Sequence, residues 1–145
     1  MGDVHIRPMN ARILVLVASA ATAVLSRVRW YADDRTDSVF RPHQSLAAAH
    51  PDLAAAVVAV VAAVFVMVLI DLMAGPVPRA SHQALLGLAV LAFALVAGGV
   101  AATPGGMYGT LGQLAAVVCT LALAAGAARL VFLGRSPKVR TARWD

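Results

Sequence analysis

Between Leu53 and Ile70 the chain carries eighteen consecutive apolar residues, LAAAVVAVVAAVFVMVLI, without a single charge. At 1.5 Å per residue this makes a helix of about 27 Å, close to the ~30 Å hydrocarbon core of a bilayer. A backbone at that depth has no water to bond. It must satisfy its own N–H and C=O groups, as a helix does. The run therefore predicts a transmembrane helix over 53–74. Asp52 is placed to cap it, Asp71 lies near its far end, and Gly75, Pro76 and Pro78 end it.

Three further apolar stretches follow the same logic. One spans 83–102, with Ser81 as its cap and Thr103-Pro104-Gly105-Gly106 as a turn over 103–108. Another spans 109–133 and contains Gln113, Cys119, Thr120 and Arg129. The first, Ile13 to Ser26, is short. With Arg12 and Arg27 snorkelling outward and Asn10 as a cap, it can still cross, as a helix over 13–30. Its basic start, apolar middle and small Ala21 and Ala23 also fit a signal sequence or an interfacial helix. The expected fold is an all-α integral membrane protein, a four-transmembrane-helix bundle. Three spans plus an interfacial N-terminal helix are the alternative.

Composition agrees. Hydrophobic residues make up 61% of the 145 and charged residues 13%, against about half and a quarter in soluble domains. Mean hydropathy is +0.81. The net charge of +5 does not point to nucleic acid, because the basic residues flank the apolar runs, where topology signals sit. Arginine and alanine dominate in the manner of GC-rich bacterial genomes such as those of actinobacteria. The single Cys119 excludes an internal disulfide.

Orientation follows from the arginines. With four spans and a cytoplasmic N-terminus, the lead-in 1–12, the loop 75–82 and the tail 134–145 are inside. They hold Arg7, Arg12, Arg79, Arg135, Lys138, Arg140 and Arg143. The loop 31–52 and its approach hold Arg27, Arg29, Arg35 and Arg41 outside. This bias places both termini in the cytoplasm of a bacterial inner-membrane protein. Without the first span, the Arg-rich loop moves inside.

Two sets of residues are candidates for function. The first is the loop surface of Arg27, Arg29, Trp30, Tyr31, Arg35 and Arg41, a mixture enriched at interfaces and able to hold lipid phosphates. Its ordinary reading is an interfacial anchor. The second is a set of small residues four apart, which let helices approach closely in lipid. They are Ala55, Ala59 and Ala63; Ala94 and Gly98; and Gly112, Ala116, Thr120, Ala124 and Ala128. The last stripe serves either internal packing or docking to another subunit. Asp71 and Arg129 are the ionisable residues nearest the hydrocarbon, at similar depth, and are expected to form an intramembrane charge pair, with Arg79 as a competing partner.

Other chemistry is hard to assemble. His5, His43, His50 and His82 avoid the middles of the apolar runs, which disfavours haem ligation, and no metal-ligand spacing or catalytic set appears. His50-Pro51-Asp52 resembles the signature tripeptide of J-domain co-chaperones. The resemblance covers three residues, the flanking Lys-rich hairpin is absent, and a helix start explains them. No catalytic activity, cofactor or metal is expected. The chain reads as a small accessory or structural subunit of a larger membrane complex, respiratory or lipid-transporting. Its expected partners are other integral membrane subunits and phospholipid. The alternative is a small oligomeric transporter. In helix number it is similar to four-helix multidrug transporters, but their acidic residue in the first helix is missing here.

Overall fold

A computed structural model describes residues 3–28, 30–32, 45–75, 78–103 and 108–135. The chain runs through a long helix α1 (Asp3–Leu25), a short strand β1 (Tyr31–Ala32) and a one-turn helix α2 (Leu46–Ala49). Two long helices follow, α3 (Pro51–Ala74) and α4 (Arg79–Ala101), then a short strand β2 (Tyr108–Gly109) and a last long helix α5 (Leu111–Arg135). Three helices are long and apolar enough to cross a membrane: α3, α4, and α5 as far as Leu133. The apolar part of α1, Met9–Leu25, is shorter. This is a helical membrane protein.

The helix ends depart from the sequence reading in instructive ways. Helix α1 starts at Asp3, ten residues before Ile13, so Asn10 lies within it and caps nothing. What extends it is tertiary: Ala11 and Val15 are buried in the main core cluster, and α1 packs along α5. Helix α3 starts at Pro51, whose missing N–H costs nothing in a first turn. Asp52 sits in that turn, where its charge complements the helix dipole, and His50 takes the cap position. Gly75 ends α3 with φ 87°, a left-handed conformation that side chains resist. Helix α4 starts at Arg79, so Ser81 is helical and is not a cap.

The four long helices close into a ring. Helix α1 packs on α3 and α5, and α4 packs on the same two. Successive passes alternate in direction, so every neighbour in the ring is antiparallel. Each helix turns one seam inward, at steps of three and four residues. In α3 the seam is Ala54, Val57, Val61, Val64, Val68 and Asp71. In α4 it is Leu85, Ala89, Ala92, Val96 and Gly99. In α5 it is Gln113, Ala116, Thr120, Leu123, Ala127 and Leu130. This is the heptad spacing of knobs-into-holes packing. Gly126 marks the closest approach of α1 and α5, since a Cβ there would lie 2.7 Å from Val15 Cγ2.

The core divides along the bundle axis. One cluster surrounds Val15, Val61, Val64, Val68, Leu85 and Leu123. The other joins Trp30, Tyr31 and Leu46 to Ala54, Val57, Val96 and Ala116 at the opposite end.

Candidate functional site

Among the described residues, the charged groups that reach the bundle interior meet at the end where α1 and α4 begin and α3 finishes. Asp71, at 3% exposure, is the buried acid of the α3 seam. Arg12 Nε of α1 donates to its Oδ2 at 2.8 Å. His82 Nε2 of α4 lies 3.6 Å from the same oxygen. That nitrogen is buried without a hydrogen-bond partner. Helices α1 and α4 thus each bring one side chain to a single carboxylate of α3. Beside it, between α3 and α4, is a cleft of about 170 Å³ lined by Met67, Val68, Ile70, Asp71, Ser81, His82 and Leu85.

The electrostatics explain the grouping. A carboxylate removed from water costs several kcal/mol unless a cation and hydrogen bonds replace its hydration. Arg12 supplies both. Its long stem lets the guanidinium reach the acid from a different helix while remaining part-exposed, at 22% for the side chain.

Arg129 is not the partner of Asp71. It lies on the exposed face of α5, next to the buried Leu130. Equal depth along a helix does not fix azimuth. Arg129 is one position off the α5 seam, and one residue on a helix is about 100° of rotation. Arg12 sits next to Ala11 of the α1 seam, on the helix beside α3. His82 was also legible in principle, because 82, 85 and 89 share the α4 seam. The sequence could not say that this seam faces inward.

The opposite end is closed by aromatic residues. Trp30 and Tyr31 are fully buried, so they do not form an exposed recognition surface. Trp30 Nε1 donates to Leu25 O at 2.6 Å, and Tyr31 Oη donates to Gly99 O at 2.7 Å. The Trp30 and Tyr31 rings meet edge to face at 6.5 Å, and Tyr31 meets His50 at 6.2 Å. Burial holds the Tyr31 phenol above its usual pKa. Gly99 must lack a side chain here, since a Cβ would lie 2.9 Å from Trp30 Cζ3 and 3.0 Å from Leu46 Cδ1. Strand β1 pairs with β2, Tyr31 opposite Gly109. Thr110 N donates to Trp30 O, and Ala47 N donates to Ser26 O. Residues 30–32 and 45–49 therefore pack together as a plug.

The remaining candidates separate cleanly. Arg27 is exposed. Arg29, Arg35 and Arg41 lie outside the described residues. Gly112, Ala116 and Thr120 do not form an outer docking face: Ala116 and Thr120 are fully buried, and Gly112 is half-buried. The Thr120 hydroxyl bonds Ala116 O and Val117 O of its own helix at 3.0 Å. Ala55, Ala59 and Ala63 of α3, and Ala94 and Gly98 of α4, face outward.

Fold and site together define a small helical membrane protein with one charged and one aromatic end. No family model, no curated protein and no solved structure matches the chain.

Proposed function

We propose that this chain is a small, non-catalytic accessory subunit of a larger bacterial membrane complex. In this reading it crosses the inner membrane four times with both termini in the cytoplasm. The observation that carries it is the outer face of α4. Gly87, Ala94 and Gly98 share one stripe there, and nothing lies within 4 Å of the position of a Cβ on either glycine. A glycine inside a helix costs about 1 kcal/mol relative to alanine. No contact among the described residues offsets that cost, whereas a partner helix approaching to backbone distance does.

The bundle's own chemistry supports a structural role. Buried Ser19 and Thr22 bond the carbonyls of Val15 and Ala18 in their own helix, and the buried carboxylate is neutralised by Arg12. That neutralisation also supports counting α1 as a span. With Arg12 compensated, the segment Met9–Leu25 gives roughly 26 Å of helix. The pairing of Arg12 with Asp71, at the end where α4 begins with Arg79, supports an orientation with that end in the cytoplasm, as the positive-inside rule favours. A transporter reading has one supporting feature, the cleft beside His82.

The test is purification from the native membrane in mild detergent, with identification of what travels along. Other integral membrane proteins are expected to co-purify stoichiometrically. Gly87→Leu and Gly98→Leu should release them at unchanged or raised thermal stability of the chain. Recovery of the chain alone or as a homodimer overturns the reading.

A further inference from the structure

We infer that the outer seam between α1 and α3 is a binding groove for one acyl chain of an anionic phospholipid, whose phosphate is held by Arg27. Two adjoining hollows line this seam. One, of about 510 Å³, is bounded by Ser26, Arg27, Ala47, Pro51 and the α3 residues Ala54, Ala55, Val58 and Ala59. The other, of about 390 Å³, is bounded by Ser19, Ala20 and Ala23 of α1 and by Val58, Val61, Ala62, Phe65 and Val66 of α3. Val58 belongs to both, so the hollows form one track.

The track is made by small side chains. Ala47, Ala54, Ala55 and Ala59 line the first hollow, and Ala20, Ala23 and Ala62 line the second together with Phe65. Its walls make no polar demand, because the hydroxyls of Ser19 and Ser26 bond Val15 O and Ala23 O of their own helix. From Pro51 to Val66 it runs about 22 Å along α3. One leaflet of hydrocarbon is about 15 Å thick, so a chain anchored at the head end fits whole.

The head end is set by charge. Arg27 follows the last turn of α1, where the helix leaves the membrane, and it is exposed. Among the described residues it has no carboxylate partner. A guanidinium at that level pairs two phosphate oxygens in fork geometry. This inference is independent of any partner subunit.

The experiment reconstitutes the full chain alone into vesicles of equal phosphatidylglycerol and phosphatidylcholine. Lipid retained after detergent extraction is then read by native mass spectrometry. Retained lipid should be enriched in phosphatidylglycerol, with about one molecule per chain. Arg27→Gln should lower the enrichment about fivefold, the ratio expected for one interfacial basic residue. Ala59→Trp, which fills the track, should abolish retention at an unchanged unfolding temperature, while Leu114→Trp on the exposed side of α5 should leave it intact. Equal retention of the two lipids, or wild-type retention by Ala59→Trp, overturns the proposal. Because no partner is present, failure here leaves the accessory-subunit reading standing.

Discussion

The two ends of this bundle are closed by different forces. At one end, Arg12 and His82 approach a single carboxylate oxygen of Asp71. At the other, Trp30, Tyr31 and Leu46 fill the space above Gly99 with side chains that are fully buried. The charged end ties α1 to α3 through a long-reaching cation. The aromatic end holds residues 30–32 and 45–49 against α3, α4 and α5 through packing, with each polar tip bonded to a backbone carbonyl. The contrast teaches that a helix bundle in lipid gains little from apolar contact as such, because lipid is equally apolar. It needs either shape or charge to fix which helices meet.

The comparison can be broken first at the aromatic end. Trp30→Ala leaves a cavity over Gly99, and a loss of about 3–5 kcal/mol is expected from core truncations of this size. Equilibrium unfolding in detergent measures it. A loss below about 1 kcal/mol would mean that the plug is an ornament of the bundle and not its closure.

The charged end should respond less, and reversibly. Asp71→Ala strands Arg12, but the part-exposed guanidinium can turn toward water. The expected loss is about 2–3 kcal/mol, at or below the lower end of what a fully buried orphan charge costs. Pairing Arg12→Leu with Asp71→Leu should recover most of it, since an apolar pair of similar volume replaces the ion pair at little cost. If the double variant is as unstable as the single, the site has a role beyond neutralising charge.

The smallest effect concerns Tyr31. Tyr31→Phe leaves Gly99 O without its donor and should cost about 1 kcal/mol. Burial raises the folded-state pKa of this phenol above its ordinary 10.0. The folded state then holds the proton more tightly than the unfolded state. The stabilisation is complete below pH 10 and falls as pH rises past it toward the folded pKa. An unfolding midpoint measured across that range should decline in wild type more steeply than in Tyr31→Phe. Parallel curves would remove Tyr31 as the titrating group.

Much of this architecture was legible in the residues. The uncharged run from Leu53 to Ile70 requires a spanning helix, because a bilayer leaves its backbone no other partner. Gly75 ends that helix for reasons of backbone sterics. The apolar runs, their breakers and the presence of an expensive acid at Asp71 came from local rules.

Azimuth did not. A helix in water shows its inner face by contrast with a polar outer one. Here the outward Val66, Leu69 and Ile70 are as apolar as the inward Val64 and Val68. No periodic signal therefore told Ala116 and Thr120, which face in, from Ala55 and Ala59, which face out. For the same reason the partner of Asp71 was decided only when the ring closed and put α1, not α5, beside α3. Trp30 and Tyr31 likewise have the composition of an interfacial anchor. Only the pairing of β1 with β2, far away in the chain, carries them inside. The sequence determined that the chain crosses a membrane and where α3 and α4 stop, since those depend on length and local backbone chemistry. Which side chains meet was left to tertiary packing, because lipid does not distinguish the faces of an apolar helix.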